Sequence, residues 1–94
     1  MDIRIQAIHF DASEKLEAYI AKKTERLAKH HADLSSVDIT LKVVKPETAM
    51  NKNVTVKVMA PKTELFAEKT ANTFEEALDS ALDTIQRRLQ DRKD

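Results

Sequence analysis

Ninety-four residues, 41% of them apolar, are enough for one hydrophobic core and too few for two. The 16 basic and 16 acidic side chains cancel, which removes any whole-molecule pull towards phosphate, and the lack of cysteine excludes disulfides and thiolate metal sites. No apolar run approaches the ~18 residues of a membrane span, and Met1-Asp2-Ile3-Arg4 lacks the basic-then-apolar layout of a signal peptide, so a cytoplasmic protein is expected.

From Asp2 to Ile8 apolar Ile3, Ile5 and Ala7 alternate with Arg4 and Gln6, the pattern of a strand with one buried face. Asp11 or Ser13 then caps a helix running to about His31, with Leu16, Ile20, Thr24 and Leu27 as its inward row. Ser35-Ser36 breaks the pattern, and Val37 to Val44 alternates again, with Val37, Ile39, Leu41 and Val43 on one side. Strand, helix, strand predicts a right-handed crossover with the two strands parallel. Lys45 to Lys52 is a polar loop around Pro46, and Asn53 to Met59 is a third strand through Val54, Val56 and Val58. Pro61-Lys62-Thr63 is a turn, and Leu65 to Thr70 is a fourth, weaker strand. The lack of glycine argues against the tightest primed hairpin turns.

The last stretch, Thr73 to Lys93, carries Phe74, Ala77, Leu78, Ala81, Leu82, Ile85 and Leu89 at spacings of three and four, a helix with one buried face. Thr73 and Glu76 predict a capping box, and Arg87, Arg88, Arg92 and Lys93 oppose the negative end of the helix dipole. The fold class that follows is α+β, a two-layer sandwich of order β-α-β-β-β-α. A four-stranded mixed sheet has both helices packed on one face. Arg4, Gln6, Thr40, Lys42, Thr55 and Lys57 are left facing water on the other. Residues 1–94 are expected to form a single domain.

Catalytic chemistry finds little support. His9, His30 and His31 have no ligand spacing, and His31 points towards the buried face as a core or semi-core residue. Ser35, Ser36 and Ser80 have no base and orienter, and no glycine loop exists to cradle a nucleotide. Phe66 and Phe74 are expected in the core. The residues call for no metal, no cofactor and no small-molecule substrate, and the chain reads as a non-enzyme.

The first helix is divided lengthwise. Lys15, Tyr19, Lys22, Lys23, Arg26, Lys29 and His30 occupy one flank, and Glu14, Glu17 and Glu25 the other. A basic row with an aromatic residue in it suits a phosphate backbone. The competing reading is a solvated surface helix with pairs such as Glu25–Lys29. In the last helix Asp83 stands one turn before Arg87, and a salt bridge plus dipole complementation accounts for most of its charges without a ligand.

The β-α-β-β-β-α order, the Leu41-Lys42-Val43-Val44-Lys45 strand end and the run from Ala77 through Asp79, Asp83, Arg87 and Arg88 to Leu89 resemble the ribosome hibernation promoting factors. This family is also called ribosome-associated inhibitor, protein Y or sigma-54 modulation proteins. The likeness extends over essentially the whole chain and is most specific in the final helix. Lys22-Lys23 and Arg26-Leu27 sit where the family's first helix carries Lys and Lys-Leu. The resemblance implies a short-form translation inhibitor without the C-terminal dimerisation domain of longer members. It would bind the small ribosomal subunit and its rRNA in the mRNA–tRNA channel, blocking A- and P-site tRNA in stationary phase or stress. It would be monomeric off the ribosome and have no membrane partner. Carried over by position, Lys22, Lys23, Arg26, Lys42, Lys45, Arg87 and Lys93 are the rRNA-binding candidates, with Arg88 joining from an adjacent row. Where the family tends to carry basic residues on either side of Arg87, this chain has Thr84 and Asp91. The alternatives are another RNA-binding module, such as a double-stranded RNA-binding type, or a protein-interaction module that uses the open sheet face or the last strand's edge.

Overall fold

The structure, a computed structural model, describes residues 1–45, 47 and 49–91. Its elements are β1 (Asp2–Ala7), α1 (Glu14–His30), β2 (Ser36–Val43), β3 (Lys52–Ala60), β4 (Thr63–Ala71) and α2 (Phe74–Asp91). The strands form one four-stranded sheet in the order β1-β2-β3-β4, with β1 parallel to β2 and the other pairs antiparallel. This is the expected α+β architecture.

Local chemistry sets the helix starts. The Ser13 side chain accepts the Leu16 backbone N–H at 3.1 Å, so Ser13 rather than Asp11 caps α1. Thr73 Oγ1 accepts the Glu76 N–H at 3.1 Å, and its hydroxyl donates to the Glu76 carboxylate at 3.3 Å. The capping box of α2 is therefore closed between the two side chains, not on the Thr73 backbone. Glu14 and Glu17 in the first turn of α1, and Glu75 and Glu76 in that of α2, face the positive dipole ends.

Register turns alternation into two distinct sheet faces. Ile5, Ile39, Val56 and Ala67 are successive partners across the four strands and form one apolar row. Arg4, Asp38, Lys57 and Phe66 form the adjacent row, which points the opposite way. The apolar face carries Val37, Leu41, Val54 and Val58, all fully buried under Ile20, Leu78 and Ile85 of the helices. Because β4 runs in the same direction as β1, both helices leave the same end of the sheet and run parallel, α2 lying over β3 and β4. Phe10 and Phe74, just before α1 and at the start of α2, stack there with ring centroids 5.3 Å apart.

Two expectations need correction. β4 is not a short, weak strand: it spans nine residues and pairs with β3 along its whole length. The connection is only Pro61-Lys62, because Lys62 adopts φ 63° while the proline ring holds the preceding φ negative, a type II pattern that needs no glycine. Phe66, expected in the core, is 52% exposed on the open face. The cause is the two-residue period: with Leu65 and Ala67 turned towards the helices, Phe66 must face out beside Lys57. His31 is half-buried at the end of α1, as its helical position implied.

These placements predict a contrast in stability. Leu78→Ala, at a fully buried site between α2 and the sheet, lowers the unfolding free energy by about 2–5 kcal/mol in urea titrations. Phe66→Ser changes it by at most about 1 kcal/mol.

Candidate nucleic-acid interface

Burial of Leu16, Ile20, Thr24 and Leu27 fixes how α1 is rotated. Helical spacing then places Tyr19, Lys23, Arg26 and His30 on the flank beside α2, and Lys15, Lys22 and Lys29 further round towards water. The same reasoning for α2 puts Asp79, Asp83 and Gln86 beside α1. An open groove of about 430 Å³ separates the two flanks. Lys23, Arg26 and His30 line one wall, Asp79, Asp83 and Gln86 the other, and Leu27 and Leu82 form the floor.

The groove is split by charge, and its charges partly pair across and along it. The Tyr19 hydroxyl donates to both carboxylate oxygens of Asp79, at 2.8 and 3.0 Å. Lys23 Nζ lies 3.9 Å from Asp79 Oδ1 and 5.4 Å from the Tyr19 ring centroid. One turn further along α2, Arg87 and Asp83 form the expected salt bridge at 2.9 Å. The Asp83–Arg87 pair is well exposed and the Lys23–Asp79 pair partly so, and each is worth no more than about 1 kcal/mol and can be exchanged for another partner.

The candidate cations do not form one patch. Lys22, Lys23 and Arg26 lie together on α1, and Arg87 is the α2 residue nearest in character, exposed on the outer surface. Arg88 turns the other way: its Nη1 donates to the Phe66 carbonyl at 3.1 Å, satisfying an acceptor on the outer strand β4. Lys42 projects from the open sheet face opposite Asn53, away from the helices. Lys45, at φ 47°, sits just past β2, at the end of the sheet where the helices begin. Lys93 and its neighbour Arg92 lie outside the described residues. Lys22 and Arg26 form no ion pair among the described residues, and neither do Glu25 and Lys29, the pair that a merely solvated helix would favour.

Over residues 3–94 the sequence matches the family described as sigma 54 modulation protein / S30EA ribosomal protein. The chain belongs to this family. Its fold is that of a ribosomal subunit interface protein from Coxiella burnetii, with a TM-score of 0.85 at 20% identity over 97% of this chain and 96% of that one. It is likewise that of the protein Y N-terminal domain from Thermus thermophilus, with a TM-score of 0.82 at 16% identity over 99% of this chain and all of that one. No curated protein matches it in sequence. The family is one of ribosome-associated factors and not a known enzyme family. Among the described residues no three metal-ligating side chains converge, and no helix is long and apolar enough to cross a membrane.

Within this family member, Tyr19 and Asp79 are the residues that sequence reading missed as a pair. They lie 60 positions apart, and only the parallel course of the two helices brings their flanks together. The hydrogen bond to Asp79 chiefly, then burial and the nearby charges of Asp79 and Glu75, raise the Tyr19 pKa above its ordinary 10.0. The bond is therefore intact below that ordinary value and lost as pH climbs through the raised one. Tyr19 is the only tyrosine and there is no tryptophan, so ultraviolet titration of tyrosinate reads it directly. The midpoint is expected above 10.0 in the native protein and closer to 10.0 in Asp79→Asn.

Proposed function

We propose that this chain is a ribosome hibernation factor, a non-enzymatic translation inhibitor acting in the cytoplasm. In this reading residues 1–94 act as one ribosome-binding domain that enters the mRNA–tRNA channel of the small subunit. It contacts rRNA with the helix face and keeps tRNA from the A and P sites in stationary phase or stress. Its partners are the small subunit and its rRNA, with no cofactor or small-molecule substrate, and it is monomeric off the ribosome.

The observation that carries the reading is the run of exposed Lys22 and Arg26 with half-buried Lys23 on α1 in a member of a ribosome-associated family. Three cations on adjacent turns can each displace a counterion from a phosphate backbone, and two of them need not first leave an ion pair. Arg87, exposed on the parallel helix, extends the basic surface across the groove. Arg88 contributes less, being held to β4, and Lys42 meets rRNA only if the nucleic acid wraps round to the sheet face. A second reading, a protein contact through the open sheet face, is favoured by Phe66 exposed beside the Lys57–Glu64 pair.

Co-sedimentation with small subunits, intact ribosomes and a control duplex across a salt series tests both. The native chain is expected to pellet with small subunits and intact ribosomes. Its log affinity should fall against log salt by roughly 0.7–0.9 per phosphate contact. The triple variant Lys22→Glu, Lys23→Glu, Arg26→Glu should lose pelleting while its circular dichroism spectrum is kept. Retained pelleting in that variant removes α1 from the interface, and loss in Phe66→Ser instead moves the contact to the sheet.

A further inference from the structure

The groove between the helices opposes a cationic wall to an anionic one, and the second wall has no place in simple phosphate binding. Asp79 and Asp83 project into the same space as Lys23 and Arg26. Asp79 holds Lys23 at 3.9 Å and is itself fixed by the Tyr19 hydroxyl, while Asp83 holds Arg87 at 2.9 Å. A phosphate arriving at Lys23 or Arg87 must displace a carboxylate that then stays within a few ångströms of it. Like charges at that distance repel, and the repulsion acts on any ligand that brings phosphate alone.

We propose that Asp79 and Asp83 are the specificity-determining residues of this surface. They turn away nucleic acid that offers only its backbone. They admit an RNA site that places phosphate against α1 and a hydrogen-bond donor against α2. Carboxylates accept well from base-edge amino and imino groups, which unpaired RNA splays outward, whereas a regular duplex uses its imino groups in pairing and recesses its free amino hydrogens in the grooves. The ligand class is thus folded RNA with splayed nucleotides at the groove. Specificity here is a difference of affinities, with the acidic wall supplying the unfavourable half. The inference rests on the RNA-binding reading above and deepens it.

The test compares two double variants that raise the net charge by the same amount. Asp79→Asn/Asp83→Asn releases Lys23 in the groove and Arg87 on the outer surface beside it. Asp38→Asn/Glu64→Gln releases Arg4 and Lys57, which those acids hold at 3.9 and 3.1 Å on the opposite sheet face. Each is titrated with a plain DNA duplex, which presents phosphate without 2′-hydroxyls, and with small ribosomal subunits. The groove variant is expected to bind the duplex at least tenfold more tightly than the native chain. Its gain for the subunit should be threefold or less, so that discrimination collapses. The sheet-face variant should shift neither by more than about twofold. Equal gains for duplex and subunit, no gain for the duplex, or the same gain in the sheet-face variant would each overturn the proposal. If the native chain fails to bind subunits, the ribosomal reading falls. The duplex arm then still decides whether the acidic wall repels bare phosphate.

Discussion

The sheet has one face that cannot be left in water. Val37, Ile39, Leu41, Val54, Val56 and Val58 are essentially fully buried, and every other feature follows from covering them. Burying each such side chain stabilises by about 1.5–3 kcal/mol, so six together match or exceed the ~5–15 kcal/mol of net stability typical of a domain. Cover comes from Ile20 and Leu27 of α1 and from Leu78, Ala81 and Ile85 of α2. Once those rows face inward, the rotation of each helix is fixed. The positions of Lys22, Lys23, Arg26, Asp79 and Arg87 are then consequences of packing, not independent choices.

Period was the most legible signal. Alternation in β1, β2 and β3 and three–four spacing in both helices each survive in the structure, because each reports a face that must be buried. Ser13 and Thr73 marked the helix starts for the same local reason, a side-chain oxygen beside unpaired N–H groups. β4 was harder to see. Its inward apolar residues are Leu65, Ala67 and Ala71, and the bulkier Phe66 between the first two blurs the alternation that a reader of sequence would trust. The turn at Pro61-Lys62 was marked by its proline, but not its two-residue tightness, because a lysine takes the positive φ usually given to glycine.

The site was legible only along single helices. Asp83–Arg87 is a four-residue neighbour relation and could be read from spacing. Tyr19–Asp79, Lys23–Asp79 and Arg88–Phe66 depend on which elements lie side by side and on the direction in which they run. No local pattern contains that information. The candidate set mixed cations of four surroundings for this reason: the helix surfaces, a residue tied to the edge strand, a lysine on the far sheet face, and Lys45 just past β2. Helical wheels assign flanks correctly but do not say what each flank meets.

Zero net charge and the proposed nucleic-acid surface are compatible because the field that matters is local. At physiological salt it decays over about 8–10 Å, so a phosphate at α1 responds to Lys22, Lys23, Arg26 and the acids across the groove, and hardly to the pairs on the sheet face. There Arg4 is matched by Asp38 and Lys57 by Glu64, which weakens the field on that side. On the helix side the pairing is incomplete: Lys23 and Arg87 have carboxylates, while Lys22 and Arg26 do not among the described residues. Exposed pairs contribute little to stability, so exchanging them for rRNA phosphates need not loosen the fold, which is held from below by Leu27 and Leu82. A surface built this way can release its ligand when salt or competition shifts. Reversibility of that kind is what the ribosome-silencing role proposed above would require.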